Sequence, residues 1–364
     1  MGRPFRPAVA VLPPAAPPCY PPAVEPSTQL RWSILGTGNI ARQFAHGVRS
    51  ARRSVLANVG SRTSQAATQF ARDYAIPRAY GSYDAALADP DVDAVYISLP
   101  NSMHHQWTLK ALDAGKHVLC EKPIATHAAQ AWEMFDHAQK RGRYLIEAFM
   151  YRSHPLTLAV KKAIESGAIG DVQLIRTSFC FRTTRIDGNI RFNAALAGGS
   201  LMDIGCYCTN LSRFIANAEP TTMHATGRLH ASGVDEMAAG TLTFPNGIIA
   251  SFTCGMVLHA DNTASICGTD GYIQVPIPWK PPAQQATYII CRGAPPRMDG
   301  GKTPPSAPPP QICTADAGNE LYAVEADDFA ASVLDGLPPR LSAADTIGNM
   351  QVLDELRRQV GVAF

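Results

Sequence analysis

The sequence predicts an α/β fold in two parts, because strand and helix patterns alternate as far as about residue 150 and strand patterns dominate beyond it. Buried apolar runs separated by amphipathic stretches are typical of a parallel sheet with helical crossovers. In the second part, runs of β-type sequence follow one another, and Asn246-Gly247 between two of them indicates a tight hairpin. We therefore expect a mostly parallel sheet first and a large, mostly antiparallel sheet after it.

The elements of the first part follow from apolar spacing, with period-two or continuous runs for strands and helical spacing between them. Strands are predicted at residues 31–35, 54–60, 93–98, 116–120 and 144–147. Helices are predicted at residues 40–50, 64–74, 105–114 and 128–141. Gly115 and Gly142, which follow the last two helices, are helix stop signals. This alternation predicts a series of βαβ units with right-handed crossovers.

The second part opens with a predicted helix at residues 155–166, and another is expected near residues 201–215. Strands are predicted at residues 172–181, 222–229, 239–244, 248–254, 263–267 and 272–275. Residues 276–310 are rich in Pro and Gly and predict a long connection of low order, with a short strand at 288–291 as an option. Two helices close the chain, at residues 320–334 and from Ser342, where Asp345 completes a pattern that resembles a capping box.

Length and composition indicate a globular protein of two domains, because 364 residues exceed one ordinary core and 46% of them are hydrophobic. The formal net charge of +2 is too small to favour nucleic acid or an acidic membrane as a partner. No window reaches the roughly 18 apolar residues of a membrane span. The nine cysteines are an odd number without a Cys-x-x-Cys pair. They favour free thiols in the reducing cytoplasm, and no ligand spacing for a metal is found.

A glycine-rich turn lies between the first strand and the first helix, with the pattern Gly36-x-Gly38-x-x-Ala41. The glycines allow a tight turn and a close approach of a ligand to the backbone, and Ala41 lets the helix pack on the strand. The free N–H groups and the dipole of the helix N-terminus favour an anion. Between a strand and a helix, this pattern predicts a dinucleotide site rather than a plain turn. The expected contacts are Gly36, Thr37, Gly38, Asn39 and Ile40.

The end of the second strand, where such sites distinguish NAD from NADP, reads Gly60-Ser61-Arg62-Thr63 and carries no acidic residue. A carboxylate at this place would bind the ribose 2′-hydroxyl of NAD. A serine hydroxyl and a guanidinium instead suit the 2′-phosphate of NADP. We therefore expect NADP. In the alternative, Arg62 is an ordinary surface residue and NAD also binds.

Further motifs follow later strands: Pro100-Asn101-x-x-His104, Glu121-Lys122-Pro123 and Asp203-x-x-x-Tyr207. Together with the glycine-rich turn, they resemble the glucose–fructose oxidoreductase, inositol dehydrogenase and rhizopine-catabolism (Gfo/Idh/MocA) family over about residues 31–364. Residues 147–152 and 198–207 are similar to its aldose and dihydrodiol dehydrogenase subgroup. The combination is specific for the family but not for a substrate.

The resemblance implies a Rossmann domain followed by an α/β domain, whose open sheet faces the cofactor and often forms the interface of a homodimer or homotetramer. The expected segments are a Pro-rich arm at 1–29, the Rossmann domain at 30–152, a substrate and oligomerisation domain at 153–340, and a helix at 341–364 that packs back on the Rossmann domain. The arm lacks the apolar core of a signal peptide, and we expect a flexible or polyproline II conformation. The alternative is an arm that packs on a neighbouring subunit.

The resemblance also implies a catalytic group: Lys122 binds the reacting hydroxyl, Asp203 orients the lysine or the substrate, and Tyr207 transfers the proton. A base is needed because hydride leaves a carbinol carbon only as its hydroxyl proton is lost. At i and i+4 of a helix, residues 203 and 207 would share a face. We expect the Lys122 ammonium to lower the pKa of Tyr207. The alternatives are structural: a surface lysine, a capping aspartate and a core tyrosine.

Further residues complete the expected site. Arg152 is expected to contact the substrate together with the catalytic group, and Trp279 is a candidate for stacking on a sugar. His104 either lines the nicotinamide pocket or lies on the surface, and Tyr322 matches a cofactor-contacting tyrosine in part of the family. Outside the glycine-rich turn, the expected cofactor contacts are Ser61, Arg62, Leu99, Pro100, Asn101, His104, Glu121, Lys122, Arg191 and Tyr322.

The sequence therefore predicts an NADP-dependent oxidoreductase that transfers hydride between nicotinamide and a CH–OH or C=O carbon of a sugar or polyol. One alternative is a glucose–fructose-type oxidoreductase that does not release its NADP, which the Pro-rich arm favours. Others are a trans-dihydrodiol dehydrogenase and a binding protein that senses NADP without catalysis. No metal is implied, since lysine and tyrosine can support hydride transfer.

Overall fold

The computed structural model of the protein describes residues 28–293 and 306–363. Nearly all of the expected Pro-rich arm lies outside the described residues, as does the part of the Pro-rich connection between residues 293 and 306.

The first sheet contains six parallel strands: β1 (Leu30–Leu35), β2 (Ser54–Gly60), β3 (Arg78–Tyr80), β4 (Ala94–Ile97), β5 (His117–Glu121) and β6 (Leu145–Ala148). Their order across the sheet is 3-2-1-4-5-6. The helices between them are α1 (Asn39–Val48), α2 (Ser64–Tyr74), α3 (Tyr83–Leu87), α4 (Asn101–Asp113) and α5 (Ala128–Arg141). In such a doubly wound sheet, ligands bind at the carboxyl ends of the strands where the order reverses, here between β1 and β4.

Strands β1 and β4 are buried almost throughout, as expected where helices cover both faces of a parallel sheet. Trp32 of β1 packs edge-on against Phe44 of α1, and Phe44 stacks on Tyr96 of β4 with 3.7 Å between ring centroids. These contacts fix α1 over the two central strands. Because α1 directly follows β1, its N-terminus lies at the carboxyl end of the sheet.

The second sheet contains eight strands: β7 (Val172–Cys180), β8 (Thr222–Leu229), β9 (Asp235–Thr243), β10 (Ile249–Gly255), β11 (Ala264–Gly268), β12 (Gly271–Val275), β13 (Ala286–Arg292) and β14 (Gln311–Ala315). Their order is 14-13-12-11-7-10-9-8; β7 and β10 are parallel, and the other neighbours are antiparallel. Helices α6 (Pro155–Glu165) and α7 (Cys206–Ala216) accompany this sheet. The predicted fold class is confirmed.

Two helices follow the second sheet, α8 (Leu321–Asp335) and α9 (Ala343–Val360). Helix α8 lies against the first sheet, where Phe329 contacts Trp32 with 4.9 Å between ring centroids. Ser342 accepts a hydrogen bond from Asp345 N at 3.1 Å and begins α9 as the sequence predicts. Helix α9 contacts both parts of the chain: it accepts from Ala128 N through Asp354 and from Ala225 N through Gln359, both at 2.8 Å.

Several short elements and one irregularity of the structure are not predicted from the sequence. Strands β3 and β14 and helix α3 are three to five residues long, too short for a periodic pattern to stand out. Leu201–Gly205 forms a π-helical turn ahead of α7, where a regular α-helix is expected. Asp203 lies within this turn and Tyr207 in α7, so the two residues belong to different helical elements.

Candidate active site

The turn after β1 opens at the point where the strand order reverses. Gly36 has a φ of +104°, and a Cβ atom there would come within 2.9 Å of Ser98 Oγ, so the turn requires glycine. Gly38 precedes α1 without a capping side chain, and no described atom of another segment lies within 4 Å of its would-be Cβ. Open space before uncapped N–H groups suits a pyrophosphate, so the residues fit the predicted cofactor. The rest of the turn is exposed or partly exposed: Thr37, Asn39 and Ile40.

The end of β2 presents a guanidinium to solvent. Ser61 is buried, and its backbone N–H donates to Tyr80 O at 3.0 Å. Arg62 is exposed and makes no hydrogen bond or ion pair with another described residue. Thr63 accepts from Ala66 N at 3.2 Å and begins α2. The Arg62 side chain is thus available for an anion beside the glycine-rich turn, where the sequence analysis places the 2′-phosphate.

The loop from β4 to α4 lies next to this turn. A Cβ atom on Gly36 would lie 3.2 Å from Leu99 Cδ2. Leu99 is buried, and Pro100 and Asn101 are partly exposed. Asn101 Nδ2 donates to Ala197 O at 2.8 Å, which joins the start of α4 to the second part of the chain. These residues lie where the sequence analysis expects cofactor contacts.

His104 lies in the protein interior. Its side chain is fully buried, and its ring nitrogens lie 2.9 Å from Pro123 O and 2.8 Å from Leu99 O. Its assignment as a cofactor contact is therefore wrong, and so is the surface alternative. Burial lowers the pKa of the imidazole against the opposing effect of the two carbonyls. The ring joins the loop after β4 to the loop after β5, which carries Lys122.

Lys122 follows β5 and points its ammonium at Asp203 of the π-helical turn. Lys122 Nζ donates to Asp203 O at 2.9 Å and lies 3.3 Å from Asp203 Oδ1. Arg191 Nε donates to the other carboxylate oxygen at 2.6 Å. Burial lowers the pKa of Lys122, but Asp203, Cys206 and Glu121 together outweigh it and leave the pKa raised. Burial likewise raises the pKa of Asp203, but Lys122 and Arg191 outweigh it and leave that pKa lowered.

The three side chains differ in exposure. Lys122 and Asp203 are 14% and 16% exposed, whereas Arg191 is 42% exposed. Glu121, the residue before the lysine, is buried and accepts a hydrogen bond from Tyr96 OH. Burial raises the pKa of Glu121, with Lys122 opposing the rise. Two cations and one carboxylate therefore form a partly exposed charged group, and the buried Glu121 adjoins it.

Tyr207 is buried beside Lys122 in an aromatic cluster. The ammonium lies 5.2 Å from the centroid of the Tyr207 ring, whereas the hydroxyl donates to Met150 Sδ at 3.4 Å. The expectation that Lys122 lowers the pKa of Tyr207 is wrong, because burial raises that pKa well above its ordinary value and Glu121 adds to the rise. The other members of the cluster are Phe149, Tyr151, Phe179 and Trp279.

Arg152 is buried and bonded to protein partners, so its assignment as a substrate contact is wrong. Its guanidinium is 6% exposed and donates to Asn210 Oδ1 at 3.0 Å and to Asp345 Oδ2 at 2.9 Å. The ring of Phe214 lies 3.9 Å from its Cζ. The residue joins the segment after β6 to α7 and α9.

Two aromatic residues that are expected at the site are buried. Trp279 is 3% exposed and donates from Nε1 to Ser178 O at 2.8 Å, so it is not free to stack on a sugar. Tyr322 is 8% exposed, and its hydroxyl donates to Gln43 of α1 at 3.3 Å. Gln43 also accepts from Lys280 at 3.2 Å. Nothing in the local sequence pattern of Lys280 distinguishes it from other surface lysines.

Within residues 28–293 and 306–363, no group of three or more histidine, cysteine, aspartate or glutamate side chains is arranged to hold a metal ion. None of the helices in these ranges is long and apolar enough to cross a membrane. The eight cysteines among the described residues are free thiols.

Both parts of the chain match known protein families. Residues 30–149 match the family profile described as "Oxidoreductase family, NAD-binding Rossmann fold". Residues 157–274 match the profile of the "GFO/IDH/MocA C-terminal domain". The first match covers the parallel sheet, and the second covers β7 to β11 and most of β12.

Individual relatives match over nearly their whole length. Trans-1,2-dihydrobenzene-1,2-diol dehydrogenase of Mus musculus is 33% identical over 341 residues, 92% of this chain and 98% of the mouse protein. The structure of a 3-ketoreductase from Actinomadura kijaniata with NADP and TDP-benzene has a TM-score of 0.80 and 29% identity, covering 91% of this chain and 98% of its own. That of an aldose-aldose oxidoreductase from Caulobacter crescentus with glycerol has a TM-score of 0.80 and 27% identity, covering 91% and 97%.

Proposed function

The chain belongs to the Gfo/Idh/MocA family of oxidoreductases, and we propose that it is an NADP-dependent enzyme that transfers hydride between nicotinamide and a CH–OH or C=O carbon of a sugar or sugar-like substrate. The observation that carries this proposal is the Lys122 ammonium, held by Asp203 at the same sheet edge as the glycine-rich turn. A cofactor and a proton-bearing group would thus meet in one cleft.

The cofactor would be held by residues of the first sheet. The turn from Gly36 to Ile40 supplies backbone N–H groups for the pyrophosphate. Ser61 and Arg62 would bind the 2′-phosphate, which supports NADP over NAD because this strand end has no carboxylate. When bound, the nicotinamide supplies the site of hydride donation and acceptance. The loop from Leu99 to Asn101 lies beside the turn and would complete the pocket.

Lys122 would hydrogen-bond the reacting oxygen. Its raised pKa keeps it an ammonium at neutral pH, so it can stabilise the negative charge that develops on a carbonyl oxygen during reduction. Asp203 would keep the ammonium in place and charged, and Arg191 would hold the carboxylate from its other side. Asp203 is therefore assigned an orienting role and Lys122 the contact with substrate.

Tyr207 is proposed as the proton-transfer residue, although its hydroxyl is bonded to Met150. A thioether is a weak acceptor, so exchanging it for a substrate oxygen costs little. The raised pKa means that the side chain is a phenol rather than a phenolate at neutral pH. With Lys122 also protonated, the residues of the free site are prepared to give a proton to a carbonyl oxygen. This protonation state supports the reductive direction.

A second candidate is a trans-dihydrodiol dehydrogenase. It is supported by the relative from Mus musculus, which carries that name and matches over 98% of its length. The structural matches with 3-ketoreductase and aldose-aldose oxidoreductase activities favour a sugar. Both candidates use the same hydride chemistry on a carbinol carbon, and they differ in the shape of the substrate ring.

Two other candidate functions differ from the first in how the protein uses its cofactor: one does not release NADP, and the other does not catalyse a reaction. A glucose–fructose-type exchanger would retain its NADP through the Pro-rich arm, which lies outside the described residues. Protein purified without nucleotide after gel filtration counts against it. A sensor without catalysis is disfavoured by the retained group of Lys122, Asp203 and Tyr207, and turnover of any substrate in the panel below excludes it.

We also propose a homodimer or homotetramer that forms through the second sheet, in the cytoplasm. Strands β8, β10, β12 and β14 and the loop after β12 each expose a large apolar side chain, which a partner subunit would bury. The free thiols of the described cysteines support a reducing compartment. Sedimentation analysis tests the oligomeric state. The exposed side chains are Leu229, Ile249, Tyr272, Ile277 and Ile312.

The absorbance of reduced nicotinamide, followed with NADP⁺ and then NAD⁺ over a panel of aldoses, inositols and trans-dihydrodiols, tests the proposed function. A rise with an aldose and NADP⁺ supports the first candidate, and a rise with a dihydrodiol alone supports the second. A rise with NAD⁺ alone overturns the assignment of the cofactor. The reverse reactions, with NADPH and the matching carbonyl compounds, cover an enzyme that works in the reductive direction.

A further inference from the structure

Lys280 lies in the Pro-rich connection after β12, but a packed anchor fixes its position. The preceding residue, Trp279, is 3% exposed and donates from its indole to Ser178 O at 2.8 Å. Its ring stacks on Phe179 with 5.5 Å between centroids and an angle of 8° between the planes. The backbone at Lys280 is thus held against β7, and the side chain starts from a defined place.

From this anchor, the Lys280 ammonium reaches across to the first part of the chain. It is exposed and donates to Gln43 Oε1 of α1 at 3.2 Å. Among the described residues, Lys280 makes no ion pair and no other hydrogen bond. An ammonium has three N–H donors, so two are left for a ligand. Gln43 lies just over one turn into α1 from Gly38, beside the proposed pyrophosphate site.

The charges around Lys280 leave it without a carboxylate of its own. Although the residue as a whole is exposed, partial desolvation of its ammonium lowers the Lys280 pKa, and so do the Lys122 and Arg191 cations. Glu121 and Asp203 oppose this lowering. Asp203 is already shared between Lys122 and Arg191. Glu121 is bonded to Tyr96 at the back of the site. The cleft therefore holds more positive charge than its carboxylates neutralise, and an anion bound there would be stabilised.

We propose that Lys280 binds a phosphate group of a ligand in the cleft between α1 and Lys122, and so clamps that ligand from the second part of the chain. The proposal rests on the proposed function, since a phosphate there belongs to the NADP pyrophosphate or to a phosphorylated sugar. Both sources present the same chemistry to an ammonium. Lys280 would act by binding, without taking part in hydride or proton transfer.

The test compares Lys280→Met with the wild-type protein and with Lys162→Met, which removes an exposed lysine of α6 that has no ion pair among the described residues. The dissociation constant of NADPH is measured from nicotinamide fluorescence at several salt concentrations. If the phosphate is that of the cofactor, Lys280→Met raises the NADPH dissociation constant about tenfold or more and weakens its salt dependence. Lys162→Met leaves the constant and its salt dependence unchanged. Lys280→Arg, which keeps the charge, restores most of the affinity.

A second arm separates the two sources. Glucose 6-phosphate and glucose are compared as ligands of the NADPH complex by thermal shift. An unchanged NADPH constant with a selective loss of glucose 6-phosphate binding in Lys280→Met assigns the phosphate to the substrate. Equal binding of NADPH and of glucose 6-phosphate by Lys280→Met and wild type overturns the proposal. If the wild-type protein binds neither NADPH nor NADH, the proposed function is overturned together with this proposal. This outcome is distinguishable from equal binding by the variant and the wild type, which overturns the role of Lys280 alone.

Discussion

Lys122 donates a hydrogen bond to the backbone carbonyl of Asp203 at 2.9 Å while its ammonium lies 3.3 Å from the carboxylate of the same residue. One residue of the π-helical turn therefore holds the lysine in two ways. Its backbone carbonyl accepts a hydrogen bond from the ammonium, and its carboxylate attracts the positive charge. Because these contacts join the end of β5 to the start of α7, the site depends on how the two sheets are placed relative to each other.

Replacement of Lys122 by methionine removes the ammonium and keeps most of the side-chain volume. We expect kcat to fall about 10²- to 10³-fold, because the developing charge on the substrate oxygen loses its donor. NADPH binding should change little, since the turn and Arg62 are untouched. Steady-state kinetics and fluorescence titration check both values, with Lys162→Met as the control; full activity of the Lys122 variant contradicts the assignment.

Asp203→Asn should move the pH profile. The Lys122 pKa is raised because Asp203, Cys206 and Glu121 together outweigh burial. Loss of the Asp203 carboxylate therefore leaves burial dominant and lowers that pKa. Reduction needs the ammonium form, and its rate should therefore decline at a lower pH in the variant than in the wild type. The alkaline limb of kcat/KM measures this shift. Asp136→Asn, which removes an exposed ion pair with Lys140, should leave the limb in place.

Tyr207→Phe distinguishes a catalytic tyrosine from a core aromatic residue. The hydroxyl contacts only a thioether among the described residues, so its loss should change the free energy of unfolding by less than about 1 kcal/mol. If the hydroxyl transfers the proton, kcat should fall about 100-fold. Unchanged kcat would assign the residue to the core.

Tyr151→Phe is the matched contrast to that variant. The Tyr151 hydroxyl donates to Asn210 Oδ1 at 2.6 Å in the buried network that also holds Arg152. Its loss should lower the free energy of unfolding by about 1–2 kcal/mol and leave kcat nearly unchanged. Chemical denaturation and steady-state kinetics give the two values.

Arg62→Ala should reduce the preference for NADP. The exposed guanidinium would make charge-assisted bonds to the 2′-phosphate, worth about 1.5–3 kcal/mol, so the NADPH dissociation constant should rise about 10- to 100-fold. The NADH constant should stay the same, because NADH lacks that phosphate. Arg72→Ala, an exposed arginine on α2, serves as the control. Equal weakening of NADPH and NADH would place the guanidinium elsewhere.

His117 should make the protein less stable in acid. Burial lowers its pKa to about 4, and Nδ1 accepts from Tyr144 N at 3.0 Å. The unfolded chain has a histidine pKa of about 6.5, so it binds more protons than the folded protein between the two values, and stability falls as the pH drops through this range. The loss is of the order of 3 kcal/mol at most.

The free energy of unfolding, measured with denaturant at pH 7 and at pH 5, checks this effect. His117→Gln should reduce the difference between the two values. His259→Gln, an exposed histidine in the loop before β11, should leave the difference as it is in the wild type. The same pH dependence in all three proteins would rule out His117 as its source.

The sequence predicts the elements with long, regular patterns because their signals are local. Gly36 and Gly38 indicate a tight turn, and the positive φ of Gly36 confirms it. Ser342 indicates the start of a helix. The π-helical turn at Asp203 leaves no such signal. Its hydrogen bonds depend on the strands packed against it, and the local sequence does not show which strands these are.

The errors at the site share one physical cause. His104, Arg152 and Trp279 are polar or aromatic residues that the sequence analysis assigns to ligands, and each is buried with protein partners instead. Burial likewise reverses the expected effect on the Tyr207 pKa. Which partner a side chain finds is set by tertiary packing, so residue type and spacing do not determine it.

Direct transfer of hydrogen from substrate carbon to nicotinamide tests the central claim most directly. The best substrate from the panel is prepared with deuterium on its carbinol carbon, and the reduced cofactor is analysed by mass spectrometry. Hydride transfer at the Lys122 site predicts one deuterium in NADPH from the wild-type protein and almost no product from Lys122→Met. NADPH without deuterium, or equal labelled product from the variant, would contradict it.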